Sequence, residues 1–171
     1  MKGKSQTPPP GEKLIGREKA RLLRQEWELK GLRLVLVNGA FDMLHVGHIR
    51  YLADAAKSAD ILLLALNSDI SVRKAKGPLR PVVPEAERAE ILSHLWMVDY
   101  IVLFDEQSVG PLLEEIKPDI HAKGRDYSVD TVPERAIVQA YGGETIICGD
   151  PKDHATTDII GTILERFGPA I

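Results

Sequence analysis

The chain has 171 residues, of which 44% are hydrophobic and 27% are charged, as in a globular domain. Its formal net charge of −3 argues against general affinity for nucleic acid, and its single cysteine, Cys148, excludes an internal disulfide. No apolar run could cross a bilayer and the N-terminus lacks the apolar core of a signal peptide, so a cytoplasmic protein with no membrane partner is expected.

The N-terminal part of the chain combines a tail with a charged helix. Residues 1–12 include three consecutive prolines and are expected to be disordered or extended. Residues 12–30 predict a helix with an apolar side, which Gly31 ends. Residues 34–37 are a continuous apolar run before a glycine, which is typical of a buried parallel strand.

Strands then alternate with helices to the C-terminus. Further strands are predicted at residues 60–66, 100–104, 120–122 and 145–148, and helices at 47–58, 84–95, 109–116, 132–141 and 156–167. This alternation predicts an α/β fold, a Rossmann-like doubly wound parallel sheet of about five strands with helices on both faces. Ligands of such folds bind at the carboxyl ends of the strands.

Two histidines follow the first strand and its glycine turn. His45 and His48 stand around Gly47 at a predicted helix start, where free backbone N–H groups and the helix dipole favour an anion. Imidazoles can donate hydrogen bonds to phosphate and stabilise charge that develops during phosphoryl transfer. The alternative is a pair of surface or capping histidines, which the preceding strand and turn make the lesser interpretation.

Three other segments are expected at the same edge of the sheet. A basic Gly/Pro loop at residues 73–80 could cover a triphosphate, although such charge runs are usually solvated. Asp126, after a lysine and a glycine, could accept hydrogen bonds from a ribose or base, or could simply cap a turn. Thr156 and Thr157 open the last helix and suit phosphate oxygens, although plain N-capping, which is compatible with phosphate contact, is the stronger explanation of these residues taken alone.

Common nucleotide and metal motifs are missing from the sequence. It contains neither a Walker A motif nor GxGxxG, and no His/Cys/carboxylate cluster has metal-ligand spacing. Any Mg²⁺ is therefore expected to arrive with a nucleotide, held mainly by phosphates and water.

The segment NGAFDMLHVGH, residues 38–48, resembles the N-terminal signature of the cytidylyltransferase-like nucleotidyltransferases. Within that superfamily it is most similar to the heptose 1-phosphate adenylyltransferase domains of lipopolysaccharide precursor synthesis. The resemblance covers about residues 13–167, and residues 13–171 are expected to form the nucleotidyltransferase domain. Its supporting segments are LNSD, KGP, RPV, ER, VDY, KPD, KG, DY, YGG and TT.

This resemblance implies transfer of AMP from ATP to a sugar 1-phosphate, with release of pyrophosphate, by an enzyme that is a homodimer. His45, His48 and Lys76 are the implied catalytic residues. The implied nucleotide site adds Ala40, Phe41, Lys74, Lys123, Gly124, Asp126, Thr156 and Thr157. The implied acceptor site is Asn67, Asp69, Arg80 and Arg88, the last of which could otherwise be a plain helix-surface charge.

The sequence departs from the family pattern around the expected pocket. Ala40 replaces a usual cysteine, Arg125 a typical glycine and Ala155 a serine, and residues 149–154 differ from the usual loop. The acceptor, and to a lesser degree the base, are therefore left open. The alternatives are a cytidylyltransferase acting on glycerol 3-phosphate or another alcohol phosphate, an FMN adenylyltransferase, or a nucleotide-binding module without turnover.

Overall fold

The computed structural model describes residues 7–150 and 156–168. Its five strands are β1 (Leu34–Gly39), β2 (Ile61–Asn67), β3 (Tyr100–Phe104), β4 (Ile120–Gly124) and β5 (Glu144–Cys148). Its α-helices are α1 (Arg17–Leu29), α2 (Val46–Ala55), α3 (Asp69–Lys76), α4 (Glu85–Ser93), α5 (Gly110–Ile116), α6 (Arg135–Ala140) and α7 (Thr156–Phe167). Short 3-10 turns are formed by Pro10–Glu12 and Val129–Thr131.

The five strands form one parallel sheet in the order β3-β2-β1-β4-β5. The chain runs outward from β1 to β3 and then returns to β4 on the other side of β1, so the strand order reverses between β1 and β4. This arrangement confirms the predicted doubly wound α/β fold, and it marks the β1/β4 boundary as the natural place for a ligand.

Helices cover the sheet on both faces, and the central strands β1 and β2 are accordingly apolar at all their buried positions. In β1, Val35 and Val37 face one core with Leu52 of α2 and Leu92 of α4. Leu34 and Leu36, which alternate with them, face a second core that is built against α1, α5 and α6. The unbroken apolar runs of the sequence therefore reflect burial on two sides.

The N-terminal segment differs from its prediction. Gly16 precedes α1, which begins at Arg17, and Leu14 forms a parallel bridge with Ile101 at the edge of the sheet. Residues 10–12, expected to be disordered or extended, form a 3-10 turn, and the Thr7 hydroxyl donates to Asp99 at 2.7 Å. Residues 1–6 of the expected tail lie outside the described residues.

The basic segment at residues 73–80 is only partly a loop. Arg73, Lys74 and Lys76 lie on α3, which begins where the Ser68 hydroxyl accepts a hydrogen bond from the Ser71 amide. The helix ends at Gly77, whose φ of 89° is readily adopted only by glycine. The expectation of a Gly/Pro loop was wrong for residues 73–76, because an N-cap at Ser68 and a glycine at position 77 enclose a full helix.

Candidate active site

A cavity of about 750 Å³ opens at the carboxyl ends of the strands. Its walls come from the loops after β1, β4 and β5, from α3, and from the first turn of α7. Most of the predicted site residues line it: Ala40, Phe41, His45, His48, Asn67, Lys76, Arg80, Lys123, Gly124, Asp126, Thr156 and Thr157. The topology thus brings residues separated by more than one hundred positions into one cleft.

The turn after β1 is sharp, and two of its residues adopt unusual backbone angles. Phe41 and Met43 have φ values of 46° and 57°, in the left-handed region that most residues avoid. A Cβ atom at Gly39 would lie 3.1 Å from the Phe41 ring, so a glycine at this position leaves room for that ring. The buried Phe41 ring in turn lies 5.2 Å from the His48 ring. The turn therefore fixes the approach to α2.

His45 and His48 form a stacked pair at the start of α2. Their ring centroids are 3.9 Å apart and the rings are inclined by 29°. His45 is the N-cap residue, and its backbone N–H donates to Nδ1 of His48 over 3.4 Å. Capping and lining the cavity are therefore compatible roles, because the His48 ring does both.

His48 is neutral at physiological pH. Burial, the His45 ring and Lys76 lower the pKa of His48 to about 4. Since its Nδ1 accepts the His45 amide hydrogen, the proton of the neutral ring resides on Nε2. This leaves an N–H donor available to an anionic oxygen in the cleft.

Asp42 fixes the wall of the cavity around Arg80, a role that was not predicted from the sequence. Its buried carboxylate accepts from Nε of Arg80 at 2.6 Å and from the backbone amides of Val82 and Val83 at 3.0 Å. These hydrogen bonds lower the pKa of Asp42 against the opposing effect of burial. Its own carbonyl accepts from the Thr156 hydroxyl at 2.9 Å, which links this wall to α7. The one feature of the sequence that could have indicated this role is the position of an acidic residue between the glycine turn and the histidines.

Cations face the cleft from this side. Arg80 is mostly buried, and its Nη2 atom has no hydrogen-bond partner within the described structure. Lys76 lines the same cavity at the end of α3. Two cationic side chains on one wall of the cavity favour a bound anion.

Lys123, near the end of β4, belongs to a buried polar cluster. Nζ of Lys123 lies 3.5 Å from Glu134 and 3.4 Å from Oδ1 of Asn38. The same amide oxygen lies 3.0 Å from Nε2 of His121, a fully buried residue. Burial and Lys123 lower the pKa of His121 to about 3, so this ring is neutral. Asn38, His121 and Glu134 were not predicted, because their partners lie on other strands and helices.

Three predicted residues do not line the cavity. Arg88 is 1% exposed, and its guanidinium donates to the carbonyl oxygens of Ala40, Asn67 and Val83 and to Asp69. Asp69 also caps the start of α4 by accepting from the Glu85 amide. An acceptor-binding role for Arg88 and Asp69 is therefore replaced by a structural one, in which they brace the loops behind the cavity.

Lys74 is the third of these residues. It is exposed on α3, and its Nζ lies 3.4 Å from the Asp105 carbonyl oxygen. Because successive helical residues point in different directions, Lys76 reaches the cleft and Lys74 does not. The predicted nucleotide contact of Lys74 is not supported by this placement.

The sequence profile described as cytidylyltransferase-like matches residues 36–166. The chain belongs to this family. Among curated proteins, it is similar to the bifunctional protein HldE of Syntrophotalea carbinolica, with 43% identity over 88% of this chain and 31% of the relative. HldE of Geobacter metallireducens is 45% identical over 81% of this chain and 28% of the relative. The chain thus spans about a third of the length of these curated relatives.

Solved structures share the fold. A lipopolysaccharide core biosynthesis protein from Thermoplasma volcanium aligns with a TM-score of 0.61 and 29% identity, over 71% of this chain and all of that protein. A pantoate-beta-alanine ligase from Francisella tularensis aligns with a TM-score of 0.57 over 89% of this chain and 77% of that one. At 15% identity, the second similarity concerns the fold alone.

Neither a membrane-spanning helix nor a metal-binding cluster occurs among the described residues. None of the helices there combines the length and apolarity needed to cross a membrane. Among the same residues, no three histidine, cysteine or acidic side chains come together in a way that could hold a metal ion.

Proposed function

We propose that this protein transfers AMP from ATP to a sugar 1-phosphate, with heptose 1-phosphate as the favoured acceptor, and releases pyrophosphate. The observation that carries the proposal is the stacked pair of His45 and His48 at the start of α2, inside a cleft with cations on the facing wall. The resemblance to the HldE proteins supports the choice of base and acceptor.

In the proposed reaction, an acceptor phosphate oxygen attacks the α-phosphorus of ATP. The new O–P bond forms as the bond from that phosphorus to the bridging oxygen of the leaving group breaks, and pyrophosphate carries away the electron pair. The acceptor oxygen is already ionised at neutral pH, so no general base is needed. The protein contributes position and charge stabilisation.

The histidines act on the phosphates in this scheme. Neutral His48 offers Nε2–H to a non-bridging oxygen whose charge grows in the transition state. His45 lies 3.9 Å away, ring to ring, and contacts the neighbouring phosphate. The first turn of α2 adds backbone N–H groups and the positive end of the helix dipole.

The two substrates are assigned to opposite sides of the histidines. Lys76, Arg80 and Asn67 line the β2 side, where the two positive charges suit the acceptor phosphate. Asp126 and Gly124 line the β4 side, where the nucleoside has room for its ribose and base. Thr156 and Thr157 close the triphosphate end from α7.

Mg²⁺ is proposed as the companion of ATP. The cleft offers mainly donors, and the Asp42 carboxylate is already engaged by Arg80 and two backbone amides. Such a donor set suits an ion held by phosphate oxygens and water rather than by a protein cage. When bound, Mg²⁺ would neutralise phosphate charge.

A homodimer and a cytoplasmic location complete the proposal. Both rest on the family resemblance and on the use of ATP, and light scattering of the purified chain tests the first. The proposed partners are ATP and a small phosphorylated sugar, without nucleic acid.

A matrix of nucleotides and acceptors tests the activity. Purified protein with Mg²⁺ is combined with ATP or CTP and with heptose 1-phosphate, glycerol 3-phosphate or FMN, and pyrophosphate is measured. We expect ATP with heptose 1-phosphate to give the highest kcat/KM. A preference for CTP, or for another acceptor, would replace the substrate assignment, and nucleotide binding without product would contradict transfer.

A further inference from the structure

Two loops meet at the side of the cavity away from α3. One follows β4 and carries Arg125, and the other follows β5 and carries Gly149. The strands are paired up to Gly124 and Cys148, where the ladder ends. Immediately beyond that pair, Nε–H of Arg125 donates to the Gly149 carbonyl oxygen. This side-chain bond extends the connection between β4 and β5 past the last backbone pair.

The loop after β5 is also held against α2. The Gly149 amide donates to Oδ2 of Asp54 at 3.0 Å, and Nη1 of Arg50 lies 3.2 Å from Oδ2 of Asp150. Gly149 has a φ of 88°, and a Cβ atom there would lie 3.2 Å from Cα of Tyr51. The loop therefore rests on the helix that carries the histidines, and Arg125 ties the neighbouring loop to it.

The cations on this side have partners within the protein. Lys123 has Glu134 within 3.5 Å, Arg50 has Asp150, and Arg125 has the Gly149 carbonyl. These contacts tie this wall of the cavity together, and the proposed function assigns the nucleoside to this side.

We propose that Arg125 is a positioning residue that clasps the loops after β4 and β5 across the nucleoside side of the cavity and thereby sets nucleotide affinity. This rests on the proposed nucleotidyl transfer, which puts the ribose and base between the two loops. Holding Arg125 and Gly149 together before binding reduces an entropic cost that the nucleotide would otherwise have to overcome.

Cys148 gives a direct measure of the clasp. It is the chain's only cysteine, it lines the cavity wall beside Gly149, and it is 5% exposed. Burial raises the pKa of its thiol to about 11, whereas the charge of Arg125 acts in the opposite direction. Removing that charge would make the thiol less acidic and slower to react. Faster modification after loss of Arg125 therefore reports a wider opening of the wall.

The experiment compares Arg125→Ala and Arg125→Lys with Arg21→Ala, an exposed α1 position used as a matched control. The rate of Cys148 modification by a disulfide reagent is measured without nucleotide, and calorimetry gives the Kd of a non-hydrolysable ATP analogue. We expect modification to be about fivefold faster in Arg125→Ala. We expect its Kd to rise about tenfold, as loss of one charge-assisted hydrogen bond predicts.

The expected changes differ between the variants and between the two substrates. Arg125→Lys keeps the charge without the planar guanidinium, so its values are expected between those of Arg125→Ala and the wild type. The KM of the acceptor and kcat at saturating nucleotide are expected to change less than about twofold, and Arg21→Ala should match the wild type. A merely structural arginine would not separate nucleotide affinity from kcat.

Other results would overturn the proposal. Unchanged thiol reactivity in Arg125→Ala would show that Arg125 does not hold the two loops together. A raised acceptor KM with normal nucleotide affinity would assign Arg125 to binding of the acceptor. The proposed function fails separately: wild-type protein that binds nucleotide but makes no product would contradict transfer, while the thiol and affinity changes would still support the clasp.

Discussion

The carboxylate of Asp42 accepts a 2.6 Å hydrogen bond from Nε of Arg80, across 38 positions of sequence. Asp42 is 2% exposed and also accepts the amides of Val82 and Val83, so one side chain holds the entire segment after α3 against the turn after β1. This bond fixes the position of Arg80, whose side chain lines the cavity. Positioning of the acceptor wall therefore depends on a residue that need not touch the substrate.

Asp42→Ala is expected to lower both stability and activity. It leaves a largely buried guanidinium and two amides without their acceptor, which should lower the free energy of unfolding by about 2 kcal/mol. The acceptor KM should rise more than the nucleotide KM, because Arg80 loses its orientation. Asp130→Ala is the control, since its exposed pair with Arg135 should contribute less than about 1 kcal/mol. Urea denaturation and steady-state kinetics measure both effects, and equal stability of the two variants would contradict this role.

Lys74 and Lys76 provide a matched pair on one helix. Lys76 lines the cavity, whereas Lys74 is exposed beside the Asp105 carbonyl. We expect Lys76→Ala to lower kcat/KM by about tenfold or more, because it removes charge stabilisation inside the cleft, and Lys74→Ala to change it less than about twofold. Equal losses in both variants would show that α3 acts through its general charge.

Arg88→Lys is expected to destabilise the protein rather than to affect the acceptor directly. The guanidinium is fully buried and bonds to Asp69 and to three carbonyl oxygens on separate segments, which a lysine ammonium cannot reproduce in that planar arrangement. The unfolding free energy should fall by about 2–3 kcal/mol. A normal melting temperature of Arg88→Lys together with a raised acceptor KM would contradict this role and would show that Arg88 binds the acceptor.

Acidification tests the buried histidine of β4. Burial and Lys123 lower the pKa of His121 from 6.5 to about 3. Below pH 6.5 the unfolded chain therefore binds a proton at this histidine that the folded protein does not bind. Its contribution to stability is fully present above pH 6.5 and is lost as the pH falls toward 3. Between pH 7 and pH 5 the loss from one such group is about 2 kcal/mol.

His121→Asn should flatten this dependence by about that amount. Urea denaturation at pH 7 and pH 5 compares the two proteins, and only the change with pH is interpreted, because the variant also alters packing. An unchanged difference between the two pH values would show that other groups cause the loss at acid pH.

The sequence predicted what depends on local pattern. Five apolar segments became the five strands, and the motif at residues 38–48 gave the turn, the histidines and their helix. Pairings across the fold were not available from it. Arg88 reads as a helix-surface charge until the loops of Ala40 and Asn67 are seen to close over it. Asp42 likewise has no visible partner until the segment after α3 returns to it.

Helix phase explains the remaining differences. Residues 73–76 are mostly charged and show no apolar periodicity that would indicate a helix. The Ser68 cap and Gly77 were therefore the only local signals of α3. Once α3 is a helix, only one side of the basic cluster faces the cleft.

Single-turnover kinetics of His48→Ala test the central claim most directly. Neutral His48 is proposed to stabilise charge only in the transition state, so His48→Ala should lower the rate of pyrophosphate release at saturating ATP and heptose 1-phosphate by about a hundredfold or more, with the Kd of ATP changed less than about fivefold. His94→Ala, at an exposed histidine of the α4 C-cap, should match the wild type. A His48→Ala protein that releases pyrophosphate at the wild-type rate would contradict the account.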